Sequence, residues 1–218
     1  MGSSSEFEVD SRDQHLHNKV RLVRLVDSAR IATTALALLM ALSVLGVSAN
    51  TLSVYDKTKI SPELLDVFPS LWPDEFNIRP TVALVVGSAI VLVTNIVALC
   101  FSNIQTLRNK STVHTSLTFA APLIGVTAAL IAIIFFYAVN ASDDVDTFLS
   151  WTCRWRAVPM DVTPHWGTLC RQSEGGLVLS ILLIPVEAAA LGLAGYLLKV
   201  ERYTSAYSNA RKGSPALA

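Results

Sequence analysis

Four long apolar segments dominate the pattern of hydrophobic and polar positions along the chain. Residues 31–50, 81–101 and 116–139 contain no charged side chain, and residues 176–198 contain one, Glu187. A helix needs about 20 apolar residues to cross the roughly 30 Å hydrocarbon core of a bilayer, so each segment is long enough. The runs are continuous, whereas membrane β-barrels show short alternating strands. The pattern therefore predicts an all-α fold, a four-helix transmembrane bundle.

Composition supports a membrane protein and excludes two other classes. Of the 218 residues, 52% are hydrophobic and 16% are charged, against about a quarter charged in a soluble domain. Lys and Arg together equal Asp and Glu at 17 each, so the chain lacks the basic excess of a nucleic-acid binder. Its hydrophobicity also argues against disorder. We expect membrane lipids as partners, with further copies of the chain or other membrane proteins as additional candidates.

The basic residues predict the orientation of the four spans. The N-terminal segment, the second connection and the C-terminal tail carry eleven Lys and Arg, against six in the first and third connections. Because Lys and Arg near span ends favour the cytoplasm, both termini are predicted to be cytoplasmic, with exoplasmic loops at 51–80 and 140–175. The chain then divides into a cytoplasmic tail (1–29), a membrane domain (30–200) and a second cytoplasmic tail (201–218). The location is the plasma membrane or an endomembrane.

The two tails differ in pattern. Residues 1–12 and 203–218 are polar and are predicted to be disordered. Residues 13–29 interleave apolar and basic positions, which predicts an amphipathic helix leading into the first span. This helix is either a simple positive-inside flank or a surface for anionic lipid headgroups.

The three cysteines fall into two groups. Cys153 and Cys170 share the third connection, where an oxidising compartment favours a disulfide. Cys100 lies at the cytoplasmic end of the second span and is either a small hydrophobe or a palmitoylation site. Asn140 begins an Asn-Ala-Ser glycosylation sequon on the exoplasmic side. In the first loop, residues 61–68 carry the capping and apolar pattern of a short helix.

The disulfide loop is rich in tryptophan and arginine. Trp residues prefer the membrane interface, and three of them fall here, Trp151, Trp155 and Trp166. They are either structural, lying on the headgroups or packing on the disulfide, or part of a binding surface, since Trp and Arg are enriched in binding hot spots. The candidate recognition residues are Trp151, Arg154, Trp155 and Arg156.

Each span also carries small and polar residues at helical spacing, as close packing of helices in lipid requires. The predicted faces are Ser43, Gly46 and Asn50 in the first span, Gly87, Ser88, Thr94 and Asn95 in the second, Thr118, Ala121, Gly125, Ala128 and Ala132 in the third, and Ser180, Glu187, Ala190 and Ala194 in the fourth.

Glu187 is the most informative residue of the spans. A charge near the bilayer centre costs roughly 2.5–3.5 kcal/mol, so this side chain is expected to be neutral, to face the bundle or a partner, and to hydrogen-bond Asn95, Ser43 or Thr127. A proton or cation site is the alternative. Because the four segments hold no second Asp, Glu, His, Lys or Arg, a structural or assembly role is favoured.

The chain lacks the common catalytic motifs. The sequence has no C-x-x-C pair, no H-E-x-x-H, no G-x-S-x-G and no phosphate-binding loop, the patterns typical of disulfide exchange, zinc proteolysis, serine hydrolysis and nucleotide binding. We therefore predict a non-enzymatic protein with no cofactor, no metal site and no catalytic residue. A small transporter or channel subunit with a site near Glu187 is the alternative.

Several short stretches carry a family resemblance over about residues 20–205. They are Arg30, Val-Leu-Gly-Val-Ser-Ala-Asn at 44–50, Trp-Thr-Cys-Arg-Trp at 151–155, Gly-Thr-Leu-Cys-Arg-Gln-Ser at 167–173 and Pro-Val-Glu at 185–187. With four spans and a disulfide in the second exoplasmic loop, the chain resembles tetraspan MARVEL-type proteins, particularly small fungal ones. Claudin-type proteins carry their Cys pair in the first loop, which has none here, and the Cys-Cys-Gly of tetraspanins is missing. The resemblance implies membrane organisation or vesicle traffic.

Overall fold

A computed structural model describes the backbone of residues 3–59, 71–103, 111–142, 145–160 and 163–212. In chain order its elements are helix α1 (Ser3–Thr58), strand β1 (Phe76–Asn77), helix α2 (Arg79–Asn103), helix α3 (Ser111–Ser142), strand β2 (Asp146–Thr147), helix α4 (Phe148–Arg154) and helix α5 (Trp166–Lys212). The short helix predicted at 61–68 lies outside the described residues.

Four of the helices contain segments that are long and apolar enough to cross a membrane. These segments are Arg21–Thr58, Arg79–Ser102, Thr118–Ala141 and Trp166–Val200. They contain three of the predicted spans in full and residues 118–139 of the third one. This confirms a mostly helical fold with four apolar segments of the length found in multi-pass membrane proteins.

The first and last helices are longer than the sequence pattern predicted. Helix α1 begins at Ser3 and α5 continues to Lys212, so residues 3–12 and 203–212 are helical, and the prediction of disorder for them is wrong. The physical reason is that propagating an existing helix costs little once its nucleus has formed. No proline interrupts α1, and neither Gly nor Pro occurs between Lys199 and Lys212.

The four long helices form a ring in which each packs against two neighbours, in the order α1, α2, α3, α5. Their buried positions recur at alternating intervals of three and four residues. On α1 these positions are Arg30, Thr34, Ala37, Ala41, Val44, Ser48 and Thr51, and on α5 they are Gly176, Ser180, Leu183, Glu187, Ala190 and Ala194. An average spacing of 3.5 residues is the seam of left-handed coiled-coil packing, which is common in membrane bundles.

The buried face of α1 differs from the predicted one. Ser43 and Gly46 are exposed, and the seam passes instead through Ala41, Val44 and Ser48. The hydroxyl of Ser43 donates to the Leu39 carbonyl, four residues earlier, at 2.9 Å. Because its hydroxyl is satisfied within its own helix, Ser43 needs no partner on another helix, and the prediction that it marks the packing face is wrong.

At one end of the ring the connections fold together into what we call the loop cap, residues 71–78, 145–160 and 163–170. Strands β1 and β2 pair in parallel, with Phe76 opposite Asp146 and Asn77 opposite Thr147. The sequence predicted no strand in either loop and no contact between the two loops. The loop cap closes one end of the bundle, and we call the opposite end the tail end.

Candidate functional site

An aromatic core joins the two connections of the loop cap. Trp72 from the first connection packs with Phe148 and Trp166 from the second, and all three rings are buried. The ring centroids lie 5.7 Å apart for Trp72 and Phe148 and 5.1 Å apart for Trp72 and Trp166, in edge-to-face geometry. Tyr55 at the end of α1 lies 5.0 Å from Trp72. Since aromatic pairs of this geometry stabilise beyond their buried area, the loop cap is a packed unit on top of the bundle.

Helix α4 is fixed at both of its ends. At its start, the side chain of Thr147 accepts from the Ser150 amide, and the Ser150 side chain accepts from the Thr147 amide, which is a capping box. At its end, Cys153 is joined to Cys170 of α5, with the Cα atoms 4.8 Å apart. The predicted disulfide is therefore confirmed, and it ties α4 to the first turn and a half of a long helix.

The disulfide has one acidic neighbour. The ligand atoms of Cys153, Cys170 and Glu174 lie within 4.8 Å of one another, a spacing that would suit a metal ion if both sulfurs were thiolates. Both sulfurs are consumed by the disulfide, and metal ligation needs the thiolate. This group therefore does not form a metal site in the oxidised protein.

The predicted recognition residues lie together on the rim of the loop cap, but they are not equally accessible. The Arg154 guanidinium donates to both carboxylate oxygens of Asp146, at 2.9 and 3.1 Å, and lies 5.9 Å from the Trp151 ring. Trp151 is half-buried, whereas Arg154, Trp155 and Arg156 are exposed. The contacts of Arg154 with Asp146 and Trp151 thus hold the rim together. The side chains of Trp155 and Arg156 are the ones left open to a partner. Trp166 of the same loop is a core residue.

A polar site separate from the loop cap lies inside the bundle, around Glu187 of α5. Its side chain is fully buried, and its Oε1 accepts a hydrogen bond of 2.5 Å from the Asn95 amide of α2. On the other side it rests on α3, where a Cβ built on Gly125 would lie 2.6 Å from Oε2. Among the described residues, Oε2 has no hydrogen-bond partner. Three helices therefore meet at one carboxyl group.

Of the three partners predicted for Glu187, the structure brings only Asn95 to it. Thr127 is exposed and donates to the Leu123 and Ile124 carbonyls of its own helix, as Ser43 does to Leu39. The sequence predicts Gly125 only as a member of a small-residue face. Its contact with Glu187 could not be found from the sequence, because the contact depends on how α3 is rotated against α5.

The remaining predicted sites lie apart from these two. Cys100 is a free, exposed cysteine in the last turn of α2, and Asn140 is half-buried in the last turn of α3. Palmitoylation of the first and glycosylation of the second stay predictions.

One charged contact at the tail end was missed. Arg30 is 6% exposed; it forms a salt bridge of 2.9 Å with Asp27 and donates to Ser102 of α2 at 3.3 Å. The spacing of three residues between Asp27 and Arg30 was a usable signal, since such pairs share a helix face. The contact with Ser102 was not predictable from spacing.

Comparison with known proteins adds no relative. No family model, no curated protein and no solved structure matches the chain. The MARVEL-type resemblance therefore stays a prediction.

Proposed function

We propose that this chain is a non-enzymatic integral membrane protein that organises membrane or partner proteins, with its helix bundle as the anchor and the loop cap as the recognition surface. One observation carries the proposal. The loop cap is fixed by an aromatic core, a strand pair and a disulfide, yet it leaves Trp155 41% exposed beside the exposed Arg156. Binding costs less entropy when the surface is already ordered.

The chemistry of this surface fits a protein partner. Trp and Arg are the residue types enriched in binding hot spots, and Val158, 43% exposed, adds apolar area beside them. The bidentate contact of Arg154 with Asp146 holds the rim in place without using Arg156. In the predicted orientation the loop cap is exoplasmic and the tail end is cytoplasmic, so the partner would be met outside the cytoplasm.

The test is the mass and composition of the protein purified in a mild detergent. We expect a stable homo-oligomer or a stoichiometric protein partner. A Trp155→Ala/Arg156→Ala variant should lose that association, whereas Arg171→Ala should retain it. Arg171 is exposed and, within the described part of the chain, donates only to the Gly167 carbonyl of its own helix. A partner-free monomer, or an assembly that both variants retain equally, would contradict the proposal.

A transporter or channel subunit is the second candidate. It is favoured by the buried Glu187, whose Oε2 has no hydrogen-bond partner among the residues that the structure describes. A fully buried carboxyl group with a free oxygen could take up a proton or a cation. Flux of protons or Na⁺ into proteoliposomes tests this candidate. Transport requires that wild-type proteoliposomes show more flux than empty liposomes and that Glu187→Gln loses this excess. Equal flux in wild-type proteoliposomes and empty liposomes rejects this candidate.

A further inference from the structure

An apolar groove of about 630 Å³ runs along the outer surface of the bundle, between α2 and α3. Its walls are exposed aliphatic and aromatic side chains, among them Val86 and Phe135. The groove exists because the two helices approach closely beneath it. A Cβ built on Gly87 would lie 2.6 Å from the Cβ of Ala132, and these small residues leave the space between the walls empty. Its volume is in the range of ligand pockets, about 300–1,000 Å³.

The groove has one charged end. Arg79, at the start of α2 beside the loop cap, is exposed and lines the groove. Among the described residues its guanidinium forms no salt bridge. The acidic residues nearest in sequence, Asp74 and Glu75, are exposed on the preceding segment and are not paired with it. A cation at one end of an apolar groove is complementary to an amphiphile with an anionic headgroup.

The length of the groove matches one leaflet of a bilayer. Along α2 its lining extends from Arg79 to Ile90, a rise of about 16 Å at 1.5 Å per residue. The hydrocarbon core is about 30 Å thick, so the groove begins at the membrane surface and ends near the midplane. A transmembrane helix of a partner or of a second copy would contact the full span, whereas a lipid of one leaflet has this length.

We propose that this groove binds one glycerophospholipid, with its phosphate on Arg79 and one acyl chain between α2 and α3. Arginine suits this task because its planar guanidinium donates two parallel hydrogen bonds to phosphate oxygens. The acyl chain lies against Val86 and Phe135 and fills the space above Gly87. The groove lining includes Ile78 of the loop cap but neither Trp155 nor Arg156, on which the proposed function depends, so either proposal can fail without the other.

Photolabelling of the purified full-length protein in phosphatidylcholine vesicles tests the site. The probe is a phosphatidylcholine with a diazirine in its acyl chain, and labelled residues are located by mass spectrometry. We expect labelling concentrated on groove residues such as Val86 and Ile131, severalfold above similarly exposed residues outside the groove, such as Leu39 and Val93. A diacylglycerol probe, which lacks the phosphate, should label the groove less. Labelling spread evenly over the apolar surface overturns the proposal.

Two pairs of variants test the two ends of the site separately. Ala83→Phe places a ring into the groove and should reduce groove labelling about tenfold, whereas Val93→Phe on the same helix should leave it unchanged. Arg79→Gln should reduce labelling about threefold, the effect of one exposed ion pair, whereas Arg171→Gln should not. If neither Ala83→Phe nor Arg79→Gln reduces labelling, or if the groove crosslinks to a second copy of the chain, the lipid assignment is wrong.

Discussion

At the scale of single residues, the contact between Glu187 and Gly125 decides how closely three helices pack. The carboxyl group occupies the space that a Cβ on Gly125 of α3 would fill, while Asn95 donates to its Oε1. Only glycine at position 125 leaves room for this arrangement. A methyl group there would force the carboxyl group away from Asn95, and an unpaired buried polar group is costly.

Gly125→Ala is therefore expected to destabilise the protein by about 1–3 kcal/mol, the usual cost of overpacking. Gly192→Ala is the matched control on α5, because a Cβ there has nothing within 4 Å and alanine is the better helix former. Thermal unfolding in detergent measures both variants. The penalty of Gly125→Ala should shrink in a Glu187→Ala background, and an unchanged penalty would show that the carboxyl group is not its cause.

Glu187 itself allows a test of the hydrogen bond. Glu187→Gln keeps an acceptor for the Asn95 amide and should unfold close to the wild-type temperature. Glu187→Leu removes the acceptor and should lower stability by about 1 kcal/mol, the size of a hydrogen bond between membrane helices. Equal losses of stability in both variants would mean that the carboxyl group acts through something other than this bond.

At the scale of elements, the loop cap depends on residues from both connections. Trp72 is the ring that touches both Phe148 and Trp166, so it joins the first connection to the second. Strand pairing of two residues on each side is too short to hold the connections together without such packing.

Trp72→Ala should cost about 3–5 kcal/mol, as large-to-small substitutions in cores do, and should open the loop cap while the bundle stays helical. Trp155→Ala should change stability by less than about 0.5 kcal/mol, since Trp155 is 41% exposed. Limited proteolysis, which cleaves the loop cap only when it opens, measures this difference together with circular dichroism. Equal protease resistance in the two variants would contradict the role of Trp72 as the joint.

At the scale of the whole molecule, four spans require both tails to lie on one side of the membrane and the loop cap on the other. The distribution of Lys and Arg predicts that the tails are cytoplasmic. With Cys100 replaced by Ser, cysteine is introduced at Ala157, which is exposed on the loop cap, or at Ser205 in the tail. A membrane-impermeant maleimide should label Ala157→Cys in intact cells and Ser205→Cys only after permeabilisation. The reverse pattern would invert the orientation.

The sequence alone determined the features that depend on single segments. The positions of the four spans follow from hydropathy, because a bilayer demands long uninterrupted apolar helices. The pairing of Cys153 with Cys170 follows from their shared loop, and the burial of Glu187 follows from the cost of exposing a carboxyl group to lipid.

Only the tertiary structure decided the contacts between segments. It selected Asn95 and Gly125 as the neighbours of Glu187, turned Ser43 outward, paired β1 with β2 and opened the groove that ends at Arg79. The helix contacts depend on how one helix is rotated and shifted against another, and the strand pairing depends on where the two connections meet. A hydropathy pattern is the same for every rotation of a fully apolar helix, so it could not specify them.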